Sequence, residues 1–129
     1  TASCSVTISD ESVGSPIIDN PDVLIVMNLP SLDKYEKTVK KGGVIFVDST
    51  LIERKVMRDD VKVFYIPSTK IAQDMGTPNL ANIVLLGKVL KECPEIGMDG
   101  MEEALRKVVS KRPEMYETNM KAVEAGYNY

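Results

Sequence analysis

Residues 42–50 read GGVIFVDST, and this stretch indicates the fold more clearly than any other part of the chain. Its centre, residues 44–47, is a continuous apolar run of the kind found in strands that are covered on both faces, as in parallel sheets. A pair of glycines, which commonly ends a helix, precedes the run, and the polar residues 48–50 follow it. The stretch therefore predicts a buried parallel strand that opens into a polar turn.

Strand-like patterns also lie on both sides of this stretch. Residues 23–27 (VLIVM) and 61–66 (VKVFYI) predict two more strands, and residues 3–8 (SCSVTI) alternate as a half-buried strand does. A helix with Ser31 as its N-cap is predicted between the strands at 23–27 and 44–47. Strands joined in this way predict an α/β fold with a mostly parallel sheet flanked by helices.

The second half of the chain is predicted to be helical. Thr77 is suited to cap a helix that runs to about residue 91, and this helix should be the most buried because it is apolar almost all round. Asp99, with a glutamate three residues later, resembles a capping box for the next helix. Pro113 should open a last amphipathic helix, and Gly126 should end it.

Length and composition limit what kind of protein this is. The 129 residues, 43% of them hydrophobic and 27% charged, predict a single domain over residues 1–129. The net charge of −3 gives no reason to expect nucleic acid or a membrane as partner, and no apolar run approaches the length of a membrane span.

Histidine and cysteine content excludes several kinds of site. The chain has no histidine, which excludes a histidine general base or a histidine metal site. Its two cysteines, Cys4 and Cys93, cannot by themselves hold a four-cysteine iron–sulfur cluster or a cysteine-rich zinc site. Two distant thiols outside any CxxC pair are typical of a cytoplasmic protein, and we expect no metal and no catalytic residue in this chain.

Small polar residues follow each predicted buried strand and form what we call the strand-end rim: Asn28, Asp48, Ser49, Thr50, Ser68 and Thr69. Ligands of open α/β sheets collect beyond the carboxyl ends of the strands, and two of these positions lead into predicted helix N-termini, which favour anions. Asn28, Ser49 and Ser68 are therefore candidate cofactor-contacting residues. The alternative interpretation, that these side chains only form turns and helix caps, is favoured because caps use the same residue types.

Other polar residues also allow two interpretations. Arg54, Lys55 and Arg58 follow the rim and suit phosphate binding, but acidic neighbours make a solvated charged surface the favoured interpretation. Asn82, on an otherwise apolar helix, is either a buried hydrogen-bonded anchor or a marker of the solvent side.

Three stretches in order resemble a known family. They are residues 15–35 (SPIIDNPDVLIVMNLPSLDKY), 42–52 (GGVIFVDSTLI) and 66–87 (IPSTKIAQDMGTPNLANIVLLG). Together they resemble the gamma subunit of the 2-oxoacid:ferredoxin oxidoreductases, of the 2-oxoglutarate or branched-chain oxoacid type. The resemblance covers residues 1 to about 90 well and the helical tail loosely.

The resemblance implies a Rossmann-like accessory subunit without a complete active site of its own. Enzymes of this family, including those acting on pyruvate, convert a 2-oxoacid, CoA and oxidised ferredoxin to acyl-CoA, CO₂ and reduced ferredoxin. Thiamine diphosphate and iron–sulfur clusters are implied for the alpha, beta and ferredoxin-like subunits, and CoA for the complex, with this chain packing near the CoA path and binding no cofactor itself. Neither the oxoacid nor the electron acceptor follows from the sequence.

The resemblance also implies a difference at the start of the chain. Gamma subunits begin with a strand, a Gly-rich turn and a helix before the segment that matches Thr1, and we expect the chain to lack this unit and to start at a cut edge. An uncovered sheet edge would then lead the fragment to self-associate. Two alternatives remain: a stand-alone nucleotide- or acyl-CoA-binding domain, and, less favoured, a small enzyme with a Lys or Cys nucleophile.

Overall fold

Three parallel strands form the sheet of this protein, whose computed structural model describes residues 20–129. The strands are β1 (Val23–Val26), β2 (Val44–Asp48) and β3 (Lys62–Ile66), in the order β1-β2-β3. Both pairings are parallel, which confirms the predicted α/β class with a mostly parallel sheet. The predicted strand at residues 3–8 lies outside the described residues.

Five α-helices accompany the strands in the described part of the chain, and the predicted helical C-terminal part is confirmed. They are α1 (Leu29–Tyr35), α2 (Ser68–Asp74), α3 (Ala81–Glu92), α4 (Met98–Val108) and α5 (Met115–Tyr127), with single 3₁₀ turns at Glu36–Thr38, Pro78–Leu80 and Pro94–Ile96. Over residues 20–129, none of these helices combines the length and the hydropathy needed to cross a bilayer.

Strand β2 is central and is covered on both faces, which explains its unbroken apolar sequence. On one face Ile45 and Val47 pack in a cluster with Leu32 of α1. On the other face Phe46 packs with Leu85 of α3, and its ring stacks on the Phe64 ring at a centroid distance of 5.2 Å. Because successive strand residues point to opposite faces, a strand that is covered on both sides can carry four apolar residues in a row.

Helices α3 and α5 approach each other closely at two glycines. A Cβ added to Gly126 would lie 1.7 Å from the Val84 carbonyl oxygen, and one added to Gly87 would lie 2.0 Å from the Val123 carbonyl oxygen. The two backbones are therefore in direct contact. The prediction that Gly126 ends the last helix is wrong, because α5 continues to Tyr127 and the glycine serves packing instead.

The helix caps predicted from the sequence are wrong at three positions. Asn28, not Ser31, caps α1: its Oδ1 accepts a hydrogen bond from the Ser31 amide at 2.9 Å, so Ser31 is already inside the helix. Thr77 makes no side-chain cap bond and precedes a 3₁₀ turn rather than α3 itself. The predicted capping box at Asp99 is also wrong, since Gly97, at φ +84°, turns the chain earlier and α4 begins before Asp99.

Candidate functional site

The strand-end rim lies along one edge of the sheet, because the carboxyl ends of parallel strands meet there. Asn28 follows β1 and precedes α1, Ser49 follows β2, and Ser68 is the first residue of α2. The Ser49 amide donates to the Ile66 carbonyl oxygen at 2.9 Å, which holds the exit of β2 against the end of β3. The three candidate contact residues therefore share one edge, and that they contact a cofactor stays a prediction.

A buried carboxylate, Asp48, organises this edge. Its Oδ1 accepts hydrogen bonds from the Thr50 amide at 3.0 Å and from the Thr69 amide at 3.4 Å, and its Oδ2 accepts one from the Thr69 hydroxyl at 2.5 Å. The side chain is fully buried, and among residues 20–129 no ion pair involves it. Asp48 therefore ties the turn after β2 to the start of α2 with neutral donors, a role that the sequence analysis did not separate from that of its polar neighbours.

The remaining amides of this turn are also bonded within the chain. The Leu51 and Ile52 amides donate to the Asp48 carbonyl oxygen at 3.3 and 3.1 Å. The Thr50 hydroxyl accepts from the Lys70 amide at 3.2 Å, so a side chain from the β2 exit caps the first turn of α2. These bonds are of the kind expected from the favoured interpretation, in which the rim residues form turns and helix caps.

The three candidate contact residues differ in what they can offer a ligand. The Oδ1 of Asn28 is engaged by the Ser31 amide. Ser68 is fully buried, and its hydroxyl has no hydrogen-bond partner among the described residues. Ser49 is half-buried, and within residues 20–129 its hydroxyl makes no capping bond, so of the three it is the most available to a ligand.

The two arginines of the charged segment 53–60, which we call the arginine loop, are paired with groups of the chain itself. Arg54 pairs with Asp33 at 2.7 Å and with Glu36 at 3.1 Å. Arg58 pairs with Asp60 at 2.6 Å and also donates to the backbone carbonyl of Glu36 at 3.2 Å. These bonds hold the loop against α1 and the 3₁₀ turn, and leave neither guanidinium free for a phosphate.

These ion pairs shift the pKa values of groups in the arginine loop. The hydrogen bond from Arg58, with its positive charge adding to the effect, holds the pKa of the Asp60 carboxyl below its ordinary value. Hydrogen bonds to Glu36 and Asp33 raise the pKa of Arg54 in turn. Both arginines stay charged. The segment is a charged surface, as the favoured interpretation states, but its arginines are paired with groups of the chain itself.

Three further polar or reactive side chains have structural roles. Asn82 is exposed, so it marks the solvent side of α3. The buried asparagine is Asn119, which donates to the Met115 carbonyl oxygen at 2.8 Å and which the sequence analysis missed. Burial, then the nearby carboxylates Glu95 and Glu92, raise the pKa of the Cys93 thiol, which keeps it neutral.

A shallow cavity of about 350 Å³ lies at the opposite end of the sheet, where the strands begin. Its charged lining is balanced between three lysines and three acids: Lys40, Lys41, Lys62, Asp22, Glu92 and Glu95. Within the described residues, no group of three or more His, Cys, Asp or Glu side chains is arranged to hold a metal ion. The balanced charge of the cavity gives it no preference for one class of ligand.

Comparison with known proteins agrees with the fold and with the three stretches of resemblance. Ketoisovalerate oxidoreductase subunit VorA of Methanothermobacter marburgensis is 34% identical over 134 residues, covering 100% of this chain and 27% of VorA. The 2-oxoglutarate synthase subunit KorC of Methanocaldococcus jannaschii is 36% identical over 124 residues, covering 95% of this chain and 65% of KorC. This chain thus spans about a quarter of VorA and just under two thirds of KorC.

A solved structure of the same kind superposes on the chain. The gamma subunit of a keto/oxoacid ferredoxin oxidoreductase from Geobacter sulfurreducens matches with a TM-score of 0.72 and 31% identity, over 83% of this chain and 62% of that one. The predicted resemblance to gamma subunits is confirmed. The model of the family described as pyruvate ferredoxin/flavodoxin oxidoreductase matches residues 1–129, and the chain belongs to that family.

Proposed function

We propose that this chain is the gamma-type part of a 2-oxoacid:ferredoxin oxidoreductase, an enzyme that converts a 2-oxoacid, CoA and oxidised ferredoxin to acyl-CoA, CO₂ and reduced ferredoxin. The observation that carries the proposal is the family match over all 129 residues, together with 36% identity to the 2-oxoglutarate synthase subunit KorC. In this proposal the chain contributes a scaffold near the CoA path rather than reacting groups.

The chemistry of the side chains supports a scaffold role. A four-cysteine iron–sulfur cluster does not fit this chain, which has two cysteines, one of them buried beside α3 with a raised thiol pKa. Without histidine, the usual general base is also missing. Thiamine diphosphate and the clusters therefore belong, in this proposal, to alpha, beta and ferredoxin-like partners, through which electrons reach ferredoxin.

The test is to isolate the assembly from the native source through an affinity tag on this chain. We expect larger partner chains to copurify, with the visible absorbance of iron–sulfur clusters, bound thiamine diphosphate and CoA-dependent reduction of a viologen dye. Parallel assays with 2-oxoglutarate, 2-oxoisovalerate and pyruvate identify the oxoacid. Recovery of this chain alone, or with partners that carry neither cofactor, would overturn the proposal.

We also propose that the isolated chain self-associates. β1 is an edge strand of the described sheet, and its Ile25 side chain is 46% exposed. Since an apolar edge strand is a template for pairing with another chain, gel filtration at rising concentration should give species larger than a monomer. An Ile25→Lys variant should shift the distribution toward monomer, and a wild-type chain that elutes as a monomer at every concentration would contradict the expectation.

A further inference from the structure

Met57, in the arginine loop, is the most exposed large hydrophobic side chain in the described part of the chain, at 85%. Two other methionines are much less accessible, since Met75 is 36% exposed and Met101 is 7% exposed. Three more are half-buried: Met27, Met115 and Met120. Single exposed apolar residues are common on protein surfaces, so the meaning of this one depends on how the loop holds it.

The residues around Met57 alternate between covered and exposed side chains, as they do in an extended chain. The covered or half-covered side chains are those of Ile52, Arg54, Val56, Arg58 and Asp60. The exposed side chains between them are those of Glu53, Lys55, Met57 and Asp59, which we call the outward row. Three members of the outward row are charged, and the fourth is a thioether. The alternation therefore places the sulfur of Met57 in water.

The backbone on either side of Met57 is fixed by bonds that do not use its side chain. The Met57 amide donates to Glu36 Oε2 at 2.8 Å, and the Val56 amide donates to the Tyr65 hydroxyl at 2.9 Å. Arg58 donates to the backbone carbonyl of Glu36 at 3.2 Å, and Val56 packs against the apolar cluster under α1. A chemical change at the Met57 sulfur would leave all of these contacts in place.

A thioether in water is open to oxidation by peroxides. The sulfur attacks one oxygen of hydrogen peroxide, so that an S–O bond forms and the O–O bond breaks. The sulfur loses two electrons, the peroxide gains them, and the second oxygen leaves as water. The product is methionine sulfoxide, which is polar and accepts hydrogen bonds.

The cost of this reaction depends on where the new oxygen lies. At Met57 it would lie in solvent, where water supplies the hydrogen bonds. Met101 packs with Leu90, Leu105 and Val123 in a buried cluster. A sulfoxide there would place a polar oxygen among apolar side chains, which is unfavourable without a donor. The same modification is thus harmless to the fold at one methionine and disruptive at another.

We propose that Met57 is the site at which hydrogen peroxide modifies this domain, and that its sulfoxide forms without loss of the fold. The oxidation makes the outward row polar throughout, while the arginine loop keeps its position. Sulfoxide reductases reverse the reaction, so the site passes between an apolar and a polar state. This inference goes beyond the proposed function and does not rest on it.

The test treats the tagged chain, in the form recovered from its native source, with dilute hydrogen peroxide and maps the oxidised peptides by mass spectrometry over time. Met57 should gain one oxygen about threefold faster than Met75 and about tenfold faster than Met101, because oxidation follows the exposure of the sulfur. Methionine sulfoxide reductases with a dithiol should remove the oxygen. The urea midpoint of the chain oxidised at Met57 should equal that of the untreated chain.

Two variants make the assignment specific. Met57→Leu keeps an apolar side chain but no sulfur, so it should lose the fastest oxidation and keep the wild-type urea midpoint. Met75→Leu is the matched control and should keep the fastest oxidation, at Met57. Oxidation that begins at any other methionine, or a urea midpoint that falls when Met57 alone is modified, would overturn the inference.

These outcomes are distinct from those that test the proposed function. If the chain recovers thiamine- and cluster-containing partners but Met57 in that assembly resists peroxide, the inference is wrong and the proposed function stands. If the chain recovers no such partners but Met57 is still the first methionine to be oxidised, the proposed function is overturned and the inference stands.

Discussion

The contact between α3 and α5 and the arginine loop hold the chain together in opposite ways. At the helix pair, Gly87 and Gly126 bring two backbones into contact, with no space for even a methyl group. At the loop, Arg54 and Arg58 form several hydrogen bonds and ion pairs, but their side chains and those of Asp33 and Asp60 remain partly exposed. The first contact depends on shape and the second on charge.

Burial decides which of the two is the more sensitive to change. A close-packed contact cannot absorb added volume without moving a helix, since protein interiors have the density of organic crystals. An ion pair that water reaches has most of its Coulomb energy screened and therefore contributes little to stability. Asp48 lies between these cases, because its side chain is polar, fully buried and hydrogen-bonded to neutral groups. The effects of substitution should follow this order.

The largest effect is expected at the helix contact. Gly126→Ala would place a Cβ 1.7 Å from the Val84 carbonyl oxygen, so α5 must move away from α3. Overpacking of this kind costs about 3 kcal/mol or more when the neighbour is backbone and cannot rotate away. Urea denaturation followed by circular dichroism at 222 nm should show a large fall in the free energy of unfolding.

A glycine elsewhere in the helical half provides the matched control. Gly100 lies inside α4, and no atom lies within 4 Å of the Cβ that a Gly100→Ala variant would add. Alanine is the better helix former by about 1 kcal/mol, so this variant should be slightly more stable than the wild type. Equal losses of stability in both variants would mean that helix geometry, rather than the contact between α3 and α5, makes Gly126 necessary.

The second-largest effect on stability is expected at Asp48. Asp48→Ala removes the acceptor for the Thr50 and Thr69 amides and for the Thr69 hydroxyl, which should cost about 3 kcal/mol in the free energy of unfolding. Asp48→Asn keeps Oδ1, which accepts from both amides, and should cost about 1 kcal/mol. The difference between the two urea midpoints measures the two amide bonds, and an alanine variant as stable as the asparagine variant would contradict the role assigned to the carboxylate.

The sheet could be predicted from the sequence because its signal is local. Four consecutive apolar residues at 44–47, followed by polar residues, indicate a buried parallel strand, and β2 is covered on both faces as expected. β1 has a similar run, but its Val23 and Ile25 are exposed, so the run alone does not give the position of a strand in the sheet. The gathering of polar residues at one edge follows from parallel pairing alone. These properties depend on the order of residue types along the chain and not on distant contacts.

The helix ends and the closest contacts could not be predicted, because they depend on what lies nearby in space. Gly126 resembles a helix stop in sequence, and only the position of Val84 on α3 shows that it packs a helix interior. Asn28 and Ser31 are both good caps, and the choice between them depends on where β1 ends. An aspartate at position 48 could cap a helix, bind a ligand or be exposed, and the sequence does not distinguish these roles. Only the three hydrogen-bond donors around Asp48 in the structure show which role it has.

The smallest effect is expected at the pair of Arg58 and Asp60 in the arginine loop. The hydrogen bond from Arg58 lowers the pKa of Asp60 in the folded chain, so the pair stabilises the fold above the unfolded-state pKa of about 4, and this stabilisation is lost as the pH falls through the lower folded-state pKa. Asp60→Asn, which cannot ionise, should lower the urea midpoint slightly near pH 7, and the difference from wild type should shrink as the pH falls below the unfolded-state pKa of about 4. Asp59→Asn is the control, because the exposed Asp59 forms no ion pair within residues 20–129. A difference between wild type and Asp60→Asn that stays constant with pH would show that the charge of Asp60 adds nothing to the bonds that Arg58 makes with the backbone carbonyls of Glu36 and Val39.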